Sequence, residues 1–301
     1  MTNYSSAARG PEPSRPGRKL GPIAANVGTL HRAWLGPIRN RHLDSGRTLI
    51  DLSERVPLSK SKLSELMRGV GHYPRWEVLH RLASELNAPH WPLYRLWQQA
   101  ALDAGKSRDW IEGSTERHTL ITTRRPGPPL EFDALRSMVE LDYRRYARAF
   151  LTEGACKEAI EDAFAILWLS FNEALSSPDT RRFAWLILRS TVMARAMDDT
   201  GHPRLEMAAF DTVALKEKEG ADLEACAEQL SESLQLFQAI SKLPDAQLDV
   251  MVLRYLGGLT PQRTSNLLGV PLAAIRSDER HAKRNLERVI RPLPETGGPT
   301  S

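Results

Sequence analysis

Basic side chains occupy one face of a long helical pattern near the C-terminal end of the sequence. On a wheel of 100° per residue, four apolar residues lie within about 60° of Ile275, namely Leu272, Ala282, Leu286 and Val289. The other face carries polar and cationic residues: Arg276, Ser277, Arg280, His281, Lys283, Arg284 and Arg288. Guanidinium and ammonium groups bind phosphates, and Arg also reads guanine in the major groove. This face therefore predicts contact with duplex DNA, while a merely solvated charged face is the alternative.

A second polar helix face lies near the N-terminal end, within residues 47–69. A first short helix is interrupted at Val56-Pro57-Leu58, and Ser59 is a favourable N-cap for a second helix. The buried stripe of that second helix is predicted to be Leu63, Leu66 and Met67. Its outward residues suit the reading of base edges or phosphates: Lys60, Ser61, Lys62, Ser64, Glu65 and Arg68. Two helices of an ordinary bundle with a solvated face would give the same wheel, so the geometry leaves both interpretations open.

No spacing in the sequence is typical of catalysis or metal binding. The motifs GxxxxGKS/T, HExxH and GxSxG are absent, and the eight His residues are scattered without a metal-ligand pair. Cys156 and Cys226 fit no CxxC or Cys/His ligand spacing. We therefore expect no enzymatic activity, no metal site and no cofactor.

The composition is that of an ordinary globular chain. Its 301 residues include 41 Lys and Arg against 37 Asp and Glu, a net charge of +4 that is too small to argue nucleic-acid binding alone. No window approaches the roughly 18 consecutive apolar residues of a membrane span. The polar residues 1–19 do not resemble a secretory signal, and two distant Cys residues argue against a disulfide framework. We expect a cytoplasmic protein without a membrane partner.

Helical periodicity dominates the chain, and alternating apolar and polar runs of strand length are nearly absent. The sequence predicts an all-α protein of three small helical domains joined by flexible linkers. Pro- and Gly-rich stretches and an acidic segment give the boundaries: a disordered arm 1–29, a domain 30–104, a linker 105–129, a domain 130–199, an acidic linker 200–233, a domain 234–291 and a tail 292–301.

The third domain closely resembles region 4 of sigma factors of the extracytoplasmic-function group, the part that reads the −35 promoter element. The resemblance runs from Leu243-Pro244 through Gly257-Gly258 to the long helix that begins at Pro271. It implies that the basic face of this helix, Arg276 to Arg284, contacts −35 DNA and that the β flap of core RNA polymerase is a partner. Two residues depart from the family pattern. Asp278 stands where Arg is common, and Glu279 lies at the edge of the apolar face, where Arg254 or Arg263 is available to pair with it.

The second domain resembles sigma region 2, which binds the polymerase clamp and captures the unstacked −10 strand. Its clearest feature is a predicted buried stripe, formed by Ile160, Ala163, Phe164, Leu167, Trp168 and Phe171. The resemblance implies that the β′ clamp helices are met by Glu161, Asp162 and Ala165. It implies contacts with the −10 strand for Arg181, Arg182, Trp185 and Arg189. Trp185 is equally consistent with a core aromatic residue.

The first domain resembles the helix-turn-helix domains of phage repressors, of the Cro/CI (XRE) type. The resemblance rests on Leu-Ser-Glu-Leu-Met-Arg-Gly at 63–69 and on Pro74-Arg75-Trp76-Glu77-Val78, which opens the next helix. It implies that the polar face of the second helix enters a major groove.

Two functions follow from these resemblances. In the first, the protein is a sigma-factor-like transcription initiation or regulatory protein that binds double-stranded promoter DNA and core RNA polymerase, with an anti-sigma or other regulatory protein as a further partner. Its N-terminal domain then binds a further DNA site or folds back to regulate the rest. In the second, it is a DNA-binding regulator whose sigma-like half serves for docking or dimerisation without promoter melting. The thinned acidic cluster of the clamp helix, Asp278 and Glu279 favour this second function.

Overall fold

The regular secondary structure is helical throughout the part of the chain that can be described. The computed structural model describes residues 20–115, 127–198, 201–206 and 235–290. Within these ranges, paired extended chain is limited to an isolated bridge between Met197 and Pro203. The predicted all-α class is therefore confirmed. Across the same ranges, no helix combines the length and the apolar character needed to cross a bilayer.

The N-terminal unit, called the head below, comprises residues 20–115. Its helices are α1 (Thr29–Asp44), α2 (Leu49–Arg55), α3 (Lys60–Arg68), α4 (Trp76–Glu85), α5 (His90–Asp103) and α6 (Arg108–Gly113). Trp34 of α1 and Trp97 of α5 are both fully buried. The Tyr73 hydroxyl connects them, since it accepts from the Trp34 indole N–H at 3.2 Å and donates to the Trp97 carbonyl at 2.8 Å. Aromatic packing therefore holds α1 against α5.

The middle unit begins at residue 127. Its helices are α7 (Leu130–Arg148), α8 (Glu153–Leu169), α9 (Phe171–Ser176) and α10 (Thr180–Ala196). The predicted stripe is confirmed for the residues that are buried, namely Ile160, Ala163, Phe164, Leu167 and Phe171. Trp168 is half-buried against the same core.

The C-terminal unit comprises residues 235–290. Residues 235–241 are helical, and α11 (Asp245–Met251), α12 (Pro261–Leu268) and α13 (Leu272–Ile290) follow. The helix α11 continues through a π-helical turn, Val252–Leu256, in which the Gly257 N–H donates to the Val252 carbonyl at 2.8 Å. The helix ends at Leu256, directly before Gly257-Gly258.

Two hydrophobic cores hold the three units. One lies in the head and also includes Ala165 and Leu169 of α8. The other is continuous between the middle and C-terminal units and includes Leu188 of α10 and Val252. The units thus pack on one another in the part of the chain that is described. The predicted linker residues 116–126, 200 and 207–233 lie outside it, as do residues 199 and 234 of the predicted domains.

Two predicted boundaries differ from the structure. Residues 20–28, assigned above to the arm, run along the head, where the Ala24 N–H donates to the Arg68 carbonyl at 2.9 Å and Val27 is buried. The helix α6 lies within the predicted linker 105–129, and its Ile111 is buried in the head core. Both segments carry apolar side chains that the head can bury, and the composition of short windows did not reveal this. Residues 1–19 of the arm, Arg291 and the tail 292–301 lie outside the described residues, as does the side chain of Val289.

Candidate nucleic-acid interfaces

A helix-turn-helix is formed by α12 and α13. Thr260 caps α12, since its hydroxyl oxygen accepts from the Arg263 N–H at 3.2 Å. Gly269 ends α12 with a φ of +62°, in the left-handed region that favours glycine. The following helix packs inward through Ile275 and Ala282, which are both fully buried. Its opposite face is therefore left towards solvent.

The predicted −35 residues lie together on this outward face of α13. The exposed members are Arg276, Arg280, His281, Lys283 and Arg284, and Ser277 is half-buried beside them. Among the described residues, the guanidinium groups of Arg276, Arg280 and Arg284 form no ion pair with a carboxylate. Their charge is therefore available to phosphates, the condition that salt-dependent DNA binding requires.

Glu279 has partners at the edge of the buried face. Its carboxylate lies 3.5 Å from Arg254 and 3.4 Å from Lys283, and the Tyr255 hydroxyl donates to it. Burial raises the pKa of Glu279, but these three partners outweigh burial and leave the pKa below its ordinary value. Of the two arginines considered from the sequence, Arg254 forms the pair.

Fold and surface together make the C-terminal unit a helix-turn-helix with an exposed basic face. Residues 239–288 match the family model for sigma-70, region 4. The predicted sigma-type helix-turn-helix is therefore confirmed over these residues, and with it a sigma-factor-like DNA-binding role in transcription. No curated protein and no solved structure matched the chain. The extracytoplasmic-function subgroup, the region 2 resemblance and the repressor-type head stay predictions.

A second helix-turn-helix arrangement is formed by α2 and α3 in the head. Thr48 and Asp51 form a reciprocal capping box at the start of α2, with bonds of 3.2 and 2.8 Å. The predicted N-cap of α3 is confirmed, since the Ser59 hydroxyl oxygen accepts from the Lys62 N–H at 3.4 Å. The predicted stripe is buried as expected: Leu63, Leu66 and Met67.

The outward face of α3 carries the residues predicted to meet DNA. Lys60, Ser61, Lys62 and Arg68 are exposed, and Ser64 and Glu65 are half-buried. Lys62 and Glu65 form an ion pair of 2.7 Å, which partly cancels the charge of this face. Lys60 and Arg68 therefore supply its cations, and reading of a major groove by α3 stays a prediction.

The predicted −10 residues on α10 lie next to the C-terminal unit. Trp185 is only 1% exposed, because Tyr143 and Tyr146 of α7 pack against its ring at centroid distances of 6.1 and 4.7 Å. Arg182 donates to a main-chain carbonyl at the end of α12 at 3.4 Å, and both Arg181 and Arg182 are exposed. In this arrangement the Trp185 ring is inaccessible to an unstacked base.

Arg189 takes part in a buried polar contact between the middle and C-terminal units. Its guanidinium lies 2.8 Å from Asp249 and 2.9 Å from Asp245, and the Tyr146 hydroxyl donates to Asp249 at 2.7 Å. Burial raises the pKa of Asp249 to about 6, against the opposing effects of the Arg189 charge and the Tyr146 hydrogen bond. A second ion pair between the same units joins Arg263 of α12 to Asp142 of α7 at 2.6 Å.

The residues predicted to face the polymerase clamp lie on α8, beside the head. Asp162 is fully buried, and its Oδ1 accepts from the Arg95 Nε at 2.7 Å and from the Gln99 side-chain amide at 2.9 Å. Arg195 of α10 binds its other carboxylate oxygen. Ala165 is 1% exposed. None of these side chains is free to meet a partner while the head is in place.

Glu161 differs from its neighbours on α8. It is half-buried and pairs with Arg136 of α7 at 2.6 Å. The Arg136 guanidinium also lies over the Phe164 ring, 4.6 Å from its centroid. The predicted clamp residue Glu161 therefore forms its ion pair within the middle unit and not with the head.

Sequence reasoning missed Arg95 and Gln99 as partners of the predicted clamp residue Asp162. They lie four residues apart and so share a face of α5, which was the only local signal. The meaning of that face depends on Asp162, more than sixty positions away along the chain. No group of three or more His, Cys, Asp or Glu side chains among the described residues is placed to hold a metal ion.

Proposed function

We propose that this protein is a sigma-factor-like transcription initiation and regulatory protein that binds promoter DNA and core RNA polymerase in the cytoplasm. The basic face of α13, in a helix-turn-helix that matches sigma region 4, is the observation that carries the proposal. Polymerase binding is assigned to the C-terminal unit and to α8 of the middle unit, because these segments resemble sigma regions 4 and 2. The proposal gives the chain no catalytic reaction, and nucleotide hydrolysis by the purified protein would contradict it.

DNA binding by α13 is tested with the full chain and a −35-like duplex in a fluorescence anisotropy titration. Arg280→Ala combined with Arg284→Ala should abolish this binding and leave binding by the head intact, because the two cations lie on the exposed face. Lys242→Ala is the matched control. It removes an exposed cation of the same unit that lies beside Arg288, in the last turn of α13. An equal loss of binding by the head would contradict the separate roles given to α3 and α13.

Promoter-dependent initiation is tested by run-off transcription with core RNA polymerase and no other sigma factor. Transcripts that begin at a defined promoter support an initiation factor. If this protein instead represses the transcription that a second sigma factor directs, or has no effect on it, the result supports a regulator.

A second function is favoured by a specific observation, the burial of Trp185 and the pairing of Arg189 with Asp249. With these residues inside, the protein is a DNA-binding regulator whose sigma-like half serves for docking without promoter melting. Permanganate footprinting separates the two functions, since only melted promoter DNA exposes thymines around the −10 position.

A further inference from the structure

The head covers a continuous face of α8. Ala165 and Leu169 are each 1% exposed, and they belong to the core of the head instead of the core of their own unit. Ile166 packs against the head as well and is partly buried. This face is apolar, so removal of the head would leave it open to a new partner.

The charge at the centre of this contact is satisfied from two sides. Asp162 binds Arg95 and Gln99 of α5 on the head, and Arg195 of α10 on its own unit. If the head leaves, Arg195 still balances the carboxylate at what becomes a solvated surface. Asp162 is therefore compatible with a covered and with an uncovered α8, whereas a buried charge with partners only on the head would not be.

The rim of the contact is polar and aromatic. Arg41 of α1 donates to the Leu169 carbonyl at 3.3 and 3.1 Å, and Asn40 donates to Glu173 at 3.1 Å. Trp91 lies beside Trp168, with ring centroids 6.0 Å apart. A polar rim around a small buried centre is typical of interfaces that form and dissociate, and less so of a domain core.

We propose that the head and core RNA polymerase compete for this one face of α8, so that the chain blocks its own polymerase binding until the head undocks. Asp162 and Ala165 cannot touch the clamp while the head covers them. The basic faces of α3 and α13 stay exposed in the docked form, which therefore binds DNA while its α8 contact with polymerase is blocked. This inference rests on the proposed function, because it takes α8 as a polymerase contact.

The test uses the full chain and purified core polymerase in a binding titration. Arg95→Glu places a second carboxylate against Asp162 and leaves α8 unchanged, so it should undock the head. We expect it to bind core polymerase at least tenfold more tightly than the unchanged protein. Arg81→Glu, the same substitution at an exposed position of α4, is the matched control and should change nothing. Gln99→Glu is the milder alternative should Arg95→Glu lose its helical circular dichroism.

Docking itself is followed without polymerase. In a chain with Cys156→Ser and Cys226→Ser, Ala165→Cys should react with a maleimide slowly, and at least ten times faster once Arg95→Glu is added. Fast labelling before that addition overturns the docked arrangement. Fast labelling only after it, with equal polymerase binding by both proteins, overturns the competition but leaves the proposed function intact. The same labelling with no polymerase binding by either protein overturns the proposed function, and this inference with it.

Discussion

Substitution of Arg68 would distinguish base reading from phosphate binding by the head. It is exposed at the last turn of α3. If it reads a base, Arg68→Ala should cost roughly 1–3 kcal/mol at a cognate duplex and little at unrelated sequences. Anisotropy titrations with cognate and scrambled duplexes check this, with Arg81→Ala as the control. An equal loss on both duplexes means that Arg68 contacts only phosphate.

Asp249 gives the contact between the middle and C-terminal units a dependence on pH. Its pKa in the folded protein is about 6, above the ordinary value of 3.8, because burial outweighs Arg189 and Tyr146. A raised carboxyl pKa means that the folded state holds its proton more tightly. The stability contributed by this group is therefore full below pH 4 and is lost as the pH rises through 6.

Asp249→Asn should remove this dependence, because the amide does not titrate. Relative to the variant, the unchanged protein should be most stable near pH 4 and should lose that advantage between pH 4 and pH 7. Thermal unfolding in a series of buffers measures the difference in Tm. A difference that stays constant over this range would contradict a titrating Asp249.

At the scale of elements, Gly269 serves both the turn of the helix-turn-helix and its contact with α10. Its φ of +62° disfavours any side chain, and a Cβ at this position would lie 2.8 Å from the backbone nitrogen of Arg182. Gly258 also has a positive φ, of +67°, but a Cβ there would meet no atom within 4 Å. Substitution of Gly258 therefore tests backbone strain alone, whereas substitution of Gly269 tests strain together with a steric clash.

We expect Gly258→Ala to lower the free energy of unfolding by about 1–2 kcal/mol, from left-handed strain alone. Gly269→Ala should cost about 1–3 kcal/mol more, because Arg182 and α12 must move apart. Chemical denaturation of both variants provides the comparison. Equal losses would mean that α12 does not pack against α10 in solution.

For the whole molecule, buried carboxylates add to the two hydrophobic cores that hold the three units together. Asp162 joins the head to the middle unit, and Asp249 joins the C-terminal unit to it. A second carboxylate placed beside either of them repels it and should weaken that contact, and contacts without shared residues should contribute additively. Arg95→Glu and Arg189→Glu should therefore each increase the radius of gyration in X-ray scattering, and the double variant should show the sum. Full expansion from Arg189→Glu alone would show that the two contacts are one cooperative unit.

Much of the helical framework was predictable from the sequence, because its causes are local. The Ser59 cap acts over three residues, and the buried stripe of α3 follows from the helical period alone. The inward position of Ile275 and Ala282 on α13 follows in the same way, and with it the outward position of the basic residues. These features need no knowledge of the rest of the chain.

The accessibility of the predicted surfaces depends on packing between distant segments, and the sequence alone did not reveal that packing. The sequence left Trp185 open between a stacking surface and a core residue, and the rings of α7 place it in the core. Asp162 was assigned to an outward face of α8, yet Arg95 and Gln99 of the head bury it. Periodicity tells which side of a helix is apolar or charged. Which neighbour covers that side depends on how whole units pack together. The free energy of this packing is a sum over contacts between residues far apart in the chain.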